Sequence, residues 1–397
     1  MKVVCRLGSR EIELDDGGLA PYQAKLKALG SVPPARLVYA AAHVVMLDTY
    51  ADISHTLEAA VPTAEISPHI DWEGTLALRK RLDQLGFGIA EAMDTAQRFF
   101  IGWDNALRLI ETTGAARLAH GFIAGAGVDH LEVVRSEDEL VAGVIYQARA
   151  IQAAGGYAIL LPLVWLTQNG CSEEDYLSIY GRIFAGLEGP LFVHWLGEMF
   201  MPALKGYFPG QSFERIMALD ASKVRGAKLS LLDADLERSL RADLATRGQI
   251  MLTGDDFHFG ALMAGPPTEH TVRIGDQTVP LGDFSHGLLG IFDGIAAPAS
   301  VALGFLAHGD EATYRELMNP CEALGKHLFQ APTQHYKAGL AFLSWLNGAQ
   351  PNPMLVRHEQ RARDLNHYIE AARLASLAGA LENAELAAER LQDYAQV

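Results

Sequence analysis

The sequence predicts a single (β/α)8 barrel with a hairpin at its N-terminus, a second hairpin inserted after strand seven, and a helical extension at its C-terminus. Eight short apolar segments alternate with helical segments between residues 36 and 295, and glycine or polar residues separate them. A repeated strand–helix unit indicates a parallel sheet, and eight such units indicate that the sheet closes into a barrel. A chain of 397 residues is long enough to bury a large core without disulfide bonds.

Strands are predicted where a short run of apolar residues indicates a buried segment. Helices are predicted where apolar residues recur at helical spacing. Helices are predicted over segments such as 72–85 and 137–154, which glycine then ends. The eight predicted strands are 36–43, 88–92, 118–125, 158–164, 191–195, 224–229, 249–253 and 287–295.

The chain divides into three predicted parts. Residues 1–34 form a hairpin and connector, residues 35–310 form the barrel, and residues 311–397 form the helical extension. Residues 264–286 contain a Pro-Pro break and two alternating pieces around Gly275, which predicts a hairpin inserted after strand seven. We expect this inserted hairpin on the face of the barrel that carries the active site.

The composition limits the cellular compartments and the classes of binding partner that we expect for this protein. A formal net charge of −16 argues against nucleic acid and anionic membranes, because both require basic patches. Cys5, Cys171 and Cys321 are far apart and show no paired spacing, which is typical of a reducing compartment. No apolar leader and no run of roughly 18 apolar residues is present. We therefore expect a cytoplasmic protein with a small-molecule partner.

Candidate functional residues follow from their positions in the predicted barrel. In this fold, functional side chains lie at the C-terminal ends of the strands and in the loops that follow. The residues with suitable chemistry at those places are His43, Glu91, Asp94, His120, Gln168, His194, Glu198, Lys228, Asp255, Asp256, His258 and Asp293.

Lys228 is the candidate with the most specific predicted role, because it lies inside a short apolar strand. Burial disfavours the charged form of an amine, which lowers its pKa and makes it a nucleophile toward carbonyl compounds. The alternative is a lysine whose stem packs inside while its ammonium group reaches solvent or a carboxylate.

Several segments carry a resemblance to a known family. They are Pro-Leu-Val-Trp at 162–165, Gly-Ala-Lys at 226–228, Leu-Thr-Gly-Asp-Asp at 252–256 and the glycine-rich 287–294. Their order and spacing resemble the class I aldolase superfamily of dihydrodipicolinate synthase and N-acetylneuraminate lyase. That family has Thr-Pro-Tyr-Tyr, Gly-Ile-Lys and Leu-Ser-Gly-Asp-Asp at the first three places. The resemblance implies a divergent branch of that superfamily, an imine on Lys228, and dimers or tetramers.

The chain departs from this family at strand five. The family carries a catalytic tyrosine at the end of that strand, whereas Phe-Val-His-Trp-Leu-Gly at 192–197 places His194 there. Histidine gives and takes protons near neutral pH, so we predict His194 as the proton relay. The alternative is a buried, hydrogen-bonded core histidine.

A second departure lies at strand two. Ala-Glu-Ala-Met-Asp-Thr at 90–95 stands where the family holds a substrate carboxylate with Gly-Thr-Thr-Gly-Glu. Glu91 and Asp94 would repel a keto-acid carboxylate, and carboxylates accept hydrogen bonds from hydroxyl groups. We therefore expect a ketose, keto-polyol or sugar lactone rather than pyruvate. Alternatively, Glu91 pairs with Lys228 or Arg98.

The leading hypothesis is a Schiff-base-forming aldolase or dehydratase that needs no cofactor. Lys228 forms the imine and His194 moves the proton. The predicted substrate contacts are Glu91, Asp94, His120, Asp256 and His258. A rival hypothesis is a metal-dependent sugar isomerase or epimerase on the same barrel. Its predicted ligands for a divalent metal are Glu91, His120, His194, Asp256 and His258. A third is a ligand-binding barrel without catalysis.

Overall fold

The chain folds as a closed barrel of eight parallel strands, which confirms the predicted fold class. The computed structural model describes residues 1–8, 10–59, 61–93 and 97–396. The strands in these ranges are β1 (Lys2–Leu7), β2 (Arg10–Asp15), β3 (Val38–Ala40), β4 (Gly88–Glu91), β5 (Phe122–Ala126), β6 (Tyr157–Leu160), β7 (Leu191–Leu196), β8 (Val224–Ser230), β9 (Ile250–Thr253), β10 (Thr271–Ile274), β11 (Gln277–Pro280) and β12 (His286–Leu289). The barrel runs in the order β12-β3-β4-β5-β6-β7-β8-β9 and closes on itself.

Helices surround the barrel and form the C-terminal extension. Those of the described residues are α1 (Ala20–Leu29), α2 (Thr63–Ile66), α3 (Trp72–Gln84), α4 (Phe99–Ala115), α5 (Glu137–Ala153), α6 (Val164–Gln168), α7 (Glu173–Ala185), α8 (Ser212–Leu219), α9 (Ala234–Thr246), α10 (Phe259–Met263), α11 (Phe292–Ala307), α12 (Glu311–Leu328), α13 (Lys337–Leu346), α14 (Leu365–Leu377) and α15 (Ala384–Tyr394). Side-chain caps fix several of their starts, such as Ser136 before α5 and the Ser172–Asp175 capping box at α7. No helix in these parts of the chain combines the length and apolar character needed to cross a bilayer.

Successive residues of each barrel strand face opposite sides, which decides which side chains reach the interior. On β7 and β9, Phe192 and Leu252 belong to the cluster that fills the barrel. Val193 and Ala227 belong instead to the larger core between the barrel and its helices. By this period of two, Lys228 on β8 faces the interior.

The inserted hairpin of β10 and β11 covers the N-terminal end of the barrel. Tyr157, the first residue of β6, donates hydrogen bonds to the Ile274 carbonyl at 3.1 Å and to Asp276 Oδ1 at 3.0 Å. Ile274 and Val279 pack with Tyr39 in the barrel interior. The expectation that this hairpin lies on the active-site face was therefore wrong. The short helix α10 follows β9 and returns the chain to the opposite end before the hairpin begins.

The C-terminal extension lies over the other end of the barrel. A Cβ placed on Gly290, just after β12, would lie 2.6 Å from Cε2 of Tyr336, which immediately precedes α13. The N-terminal hairpin of β1 and β2 packs on this extension. The backbone N–H of Asp15 donates to Ser376 Oγ at 2.8 Å, and Cys5 Sγ lies 3.6 Å from the Ala388 carbonyl.

The packing of the inserted hairpin predicts a large cost for truncating Ile274. Ile274→Ala removes a fully buried side chain and leaves a cavity, so it should lower the free energy of unfolding by about 2–4 kcal/mol. Urea titration measures this loss. Thr278→Ala, on the exposed face of the same hairpin, is the control and should change stability by less than about 0.5 kcal/mol. Equal effects of the two substitutions would contradict the interior position of the hairpin.

Candidate functional site

Lys228 and His194 lie next to each other inside the barrel, near its C-terminal end. They are register partners on the neighbouring parallel strands β8 and β7, and both follow the interior-facing period. Side chains on one face of adjacent strands are about 5 Å apart at the backbone, so the imidazole and the amine share one space. His194 is fully buried and Lys228 is 6% exposed. This placement matches the roles predicted from the sequence, which stay predictions.

Ser230 and Gly254 shape the space around the pair. His194 Nε2 lies 3.2 Å from Ser230 Oγ, within hydrogen-bond distance. The hydroxyl accepts this hydrogen bond when Nε2 carries the proton and donates it when Nε2 does not. A Cβ placed on Gly254 would lie 2.7 Å from Cε of Lys228 and would also collide with Ser230 Oγ. The glycine after β9 therefore gives room to the stem of Lys228.

Asp256, predicted as a substrate contact, lies buried in the loop after β9. Its Oδ1 accepts a hydrogen bond from the Ile291 N–H at 2.9 Å. Burial raises the pKa of Asp256, while the Ile291 N–H and the positive charge of Lys228 oppose that rise. A carboxyl group with a raised pKa exchanges protons closer to neutral pH than an ordinary aspartate.

The extension brings a second buried amine to this end of the barrel, and the sequence reasoning missed it. Lys337, the first residue of α13, is fully buried and donates a hydrogen bond to the Ala41 carbonyl just after β3. Its Nζ lies 3.7 Å from Asp293 Oδ2. Burial lowers the pKa of Lys337 to about 8, and Asp293 and Asp256 oppose that fall. Lys228 acts electrostatically on Lys337 as well.

Tyr336 places an aromatic ring beside Lys337 at the mouth of the barrel. The ring stacks on Phe329 with centroids 4.1 Å apart and lies 3% exposed in the space that Gly290 leaves free. Ala41, Gly254 and Gly290 are the small residues at the ends of strands one, seven and eight. The extension thus places the ring of Tyr336 and the amine of Lys337 beside the ends of strands eight and one.

Asp293 links the extension to the first strand through His43. Asp293 Oδ2 lies 2.6 Å from His43 Nδ1, and His43 Nε2 lies 2.6 Å from Gln350 Oε1. The Gln350 amide nitrogen donates to the Asn352 carbonyl, so its oxygen faces the imidazole. Burial alone would raise the pKa of Asp293, but His43 and Lys337 hold it at about 2. Asp293 lies in the first turn of α11 and does not lie at the end of strand eight as predicted.

Glu91 does not face the barrel interior, so its predicted role as a substrate contact is corrected. It points outward and forms an ion pair with Arg79 of α3, with Nη2 at 2.8 Å from Oε1. Thr113 of α4 also donates a hydrogen bond to Oε2 of Glu91, at 2.8 Å. Burial alone would raise the pKa of Glu91, but Arg79 keeps it below its usual value. The alternative pairing with Lys228 or Arg98 is also wrong, and Arg98 pairs with Asp129.

His120 lies at the wrong end of the barrel for the role predicted. Strand β5 begins at Phe122, so His120 precedes it at the N-terminal end, where it is half-exposed and pairs with Asp83 at 3.0 Å. The predicted strand 118–125 began too early, which placed this residue inside the strand. His258 is at the expected end, with its ring 40% exposed and its Nδ1 2.9 Å from Asp255 Oδ2. Asp94 lies outside the described residues.

The predicted metal ligands are not brought together. Glu91 points outward and His120 sits at the opposite end, so the set of five cannot surround one ion. Within the described ranges, no group of three or more His, Cys, Asp or Glu side chains is arranged to hold a metal.

Two residues of this site had a signal in the sequence. Ser230 lies two residues after Lys228 on the same strand, so the period of two already places both on one face. Lys337 is the one charged residue in the segment 337–346, which is apolar apart from Ser344. A lysine in such a segment is expected to have a buried partner.

Comparisons with known proteins agree with this architecture. A family model described as "Protein of unknown function (DUF993)" matches residues 12–397. No curated protein matches the chain. Solved structures do match. A putative dihydrodipicolinate synthetase from Pseudomonas aeruginosa is 15% identical, with a TM-score of 0.59 over 88% of this chain and 100% of that chain.

Two further structures give the same result. Dihydrodipicolinate synthase from Acinetobacter baumannii, solved in complex with pyruvate, is 16% identical with a TM-score of 0.58 over 87% of this chain and 100% of its own. The enzyme from Bacteroides thetaiotaomicron is 13% identical with a TM-score of 0.60 over the same shares. At these sequence identities the likeness shows the fold alone. For the fold, it confirms the resemblance to dihydrodipicolinate synthase that the sequence predicts.

The outward position of Glu91 predicts a structural effect for its substitution. Glu91→Gln leaves the charge of Arg79 buried without its partner, so the free energy of unfolding should fall by about 3–5 kcal/mol. Urea titration measures this loss. Arg135→Ala, which breaks an exposed pair with Glu139, is the control and should cost less than about 1 kcal/mol. A stability loss no larger than that of the control would contradict the assigned ion pair.

The low pKa of Asp293 predicts a loss of stability in acid. Because the folded-state pKa of about 2 lies below the ordinary value of 3.8, the stabilisation is present above about pH 4 and is lost as the pH falls through 2. The wild-type free energy of unfolding should fall by about 2 kcal/mol more than that of Asp293→Asn between these pH values. Urea titrations of both proteins at several pH values measure the difference. Parallel curves would contradict the assigned pKa.

Proposed function

The chain belongs to the family described as "Protein of unknown function (DUF993)", and from its barrel and the groups around Lys228 we propose that it is a Schiff-base-forming lyase. The observation that carries the proposal is the placement of a buried lysine beside a buried histidine at the C-terminal end of a (β/α)8 barrel. This is the end at which enzymes of this fold hold their reacting groups. The order of motifs around residues 226–228 and 252–256 supports the same assignment.

In the proposed reaction, the neutral amine of Lys228 attacks the carbonyl carbon of the substrate. A C–N bond forms, the carbonyl oxygen takes a proton, and the resulting carbinolamine loses water to give a protonated imine. Asp256 is suited to exchange the protons of these two steps because its raised pKa brings its titration toward neutral pH. The imine then serves as the electron sink for the bond that breaks next.

His194 is the proposed proton relay for bond cleavage. It removes a proton from a substrate hydroxyl when a carbon–carbon bond breaks, or from the carbon beside the imine when a β-hydroxyl leaves. Its hydrogen bond to Ser230 orients the imidazole toward the substrate carbon atoms that the imine joins to Lys228. After carbon–carbon cleavage, one fragment leaves as a carbonyl compound and His194 returns its proton to the enamine carbon, which restores the imine. In the elimination, His194 gives its proton to the β-hydroxyl, which leaves as water. Hydrolysis of the imine by one water molecule then returns the Lys228 amine and releases the product.

We propose a hydroxylated ketone or sugar-derived carbonyl compound as substrate, rather than pyruvate. The support is the segment 90–95, which lacks the hydroxyl-rich loop that holds a carboxylate in the resembling family, and Asp256, which accepts hydrogen bonds from hydroxyl groups. Glu91 no longer supports this choice, because its charge is used by Arg79. We propose that the reaction uses protein groups alone and needs no metal.

Chemical trapping tests the proposed imine. Borohydride reduction in the presence of a panel of hydroxylated ketones, aldoses, lactones and keto acids should add the mass of one panel member, less one oxygen atom, to the peptide that contains Lys228. Imine formation releases one water molecule, and the reduction adds two hydrogen atoms. The adduct should persist after treatment with a metal chelator. Lys228→Met should give no adduct and should lose turnover of that compound by about 10³-fold or more. Peptide mapping by mass spectrometry reads the result.

Lys205→Met is the matched control, because Lys205 is an exposed lysine in the loop after β7. It should leave both trapping and turnover unchanged. An adduct on Lys337 instead of Lys228 would contradict the assignment. So would the absence of any adduct across the panel together with full activity of Lys228→Met.

A further inference from the structure

Ser230 is the last residue of β8, and its hydroxyl group lies close to both groups that the proposed reaction uses. Its Oγ lies 3.2 Å from Nε2 of His194. A Cβ placed on Gly254 would lie within 2.7 Å of both Ser230 Oγ and Cε of Lys228, so these two atoms are close neighbours. The proposed reaction gives Ser230 the task of orienting His194 and no part in moving protons.

Ser230 lies nearer to the mouth of the barrel than the other two residues. Lys228 and His194 are register partners at one level, and Ser230 pairs with Leu196 two residues further along. Because a parallel strand rises about 3.3 Å per residue, the backbone of Ser230 lies about 7 Å further along the strand toward its C-terminal end. A substrate that is joined to Lys228 and extends toward the mouth therefore has this hydroxyl group beside it.

The loop after β9 is shaped around this hydroxyl group. The Gly254 N–H donates to the Leu229 carbonyl at 2.6 Å, which holds the loop against β8. A side chain at residue 254 would take the place of Ser230 Oγ and of the Lys228 stem. Ser230 is 2% exposed and His194 is 0% exposed, so both are shielded from bulk water. In such a space a proton moves between groups that are already within hydrogen-bond distance of each other.

We propose that Ser230 is a catalytic residue that carries the proton between the substrate and His194. The substrate hydrogen moves to Ser230 Oγ, while the hydroxyl hydrogen of Ser230 moves to Nε2 of His194. In carbon–carbon cleavage, the electron pair of the broken O–H bond forms the carbonyl group of the leaving fragment, and that of the carbon–carbon bond passes to the imine. In the elimination, the electron pair of the broken C–H bond passes to the imine instead.

The same relay runs in reverse when the proton returns to the substrate. The forward transfer uses the tautomer of His194 that carries its proton on Nδ1, because Nε2 then accepts from the hydroxyl group. Serine thus touches the substrate and histidine holds the proton behind it. This inference rests on the proposed function, since it assumes an imine on Lys228 and His194 as the base.

Release of a carbon-bound label tests the relay. The probe is dihydroxyacetone with tritium on its carbon atoms, a hydroxylated ketone of the proposed class. Conversion of the imine into the enamine removes a hydrogen from the neighbouring carbon, so the wild type should release tritium to water. Ser230→Ala removes the hydroxyl group and should lower this release at saturating probe by about 10²-fold or more, the usual contribution of general acid–base catalysis. Cyanoborohydride should still trap the adduct on Lys228, because the amine is retained.

The solvent isotope effect distinguishes a proton carrier from a residue that only orients His194, and it is measured on the unmodified protein. In heavy water the hydroxyl group of Ser230 carries deuterium, which moves in the same step as the tritium of the probe. Release should therefore be slower in heavy water than in ordinary water, after correction for the trapping rate in each solvent. Direct transfer to the imidazole moves no solvent-derived hydrogen and would give equal corrected rates.

Further variants separate the hydroxyl group from the stability of the fold. Ser230→Thr keeps a hydroxyl group and should restore most of the release, while Ser230→Gly serves if Ser230→Ala does not fold. Ser285→Ala is the matched control, because Ser285 is a fully buried serine whose hydroxyl group donates to Oε1 of Glu237 on α9, at 2.6 Å. It should leave the release unchanged. The melting temperature of each variant shows whether it is folded.

The outcomes distinguish this inference from the proposed function. Loss of tritium release with retained trapping in Ser230→Ala, recovery in Ser230→Thr and a slower corrected rate in heavy water support the relay. Equal corrected rates in the two solvents, or release at the wild-type rate by a folded variant without the hydroxyl group, overturn the inference and leave the imine on Lys228 standing. Absence of any adduct on Lys228, in the wild type and across the wider carbonyl panel, overturns the proposed function and with it this inference.

Discussion

A lysine amine placed inside an apolar barrel is the constraint on which the arrangement at the C-terminal end depends. Transfer of an isolated ammonium group into such a place costs far more free energy than a folded chain has to spare. The structure meets this constraint in two ways. It places the carboxyl group of Asp256 in the electrostatic reach of Lys228, and it places the imidazole of His194 on the neighbouring strand. Burial raises the pKa of Asp256, which brings the titration of this carboxyl group toward neutral pH.

The same constraint explains why the mouth of the barrel is built from two separate parts of the chain. Gly254, after strand seven, leaves space for the Lys228 stem, and Gly290, after strand eight, leaves space for the ring of Tyr336. Tyr336 and Lys337 of the extension occupy that side of the mouth. The aromatic ring excludes water, and lower local polarity strengthens each charge interaction around it. The extension therefore belongs to the electrostatics of the site as well as to its packing.

The fold was predictable from the sequence because eight segments of buried character and their helices each have a local signal. The positions of Lys228 and His194 followed from the strands on which they were predicted and from the resemblance of segments 226–228 and 192–197 to a known family. Glu91 was misplaced because its predicted direction depends on which face of β4 it occupies, and a shift of one residue reverses that face. His120 was misplaced because the strand boundary was set too early. Lys337 was missed because the contact between α13 and β3 joins residues nearly 300 positions apart, and no local pattern reports such a distance.

The inserted hairpin has a consequence for traffic through the molecule. Ile274 of β10 and Val279 of β11 pack into the N-terminal end of the barrel and close it with apolar side chains. In the proposed reaction the substrate therefore approaches Lys228 from the C-terminal end, beside Tyr336 and Lys337 of the extension. A substitution that changes this part of the extension would then alter access to the lysine as well as the stability of the fold.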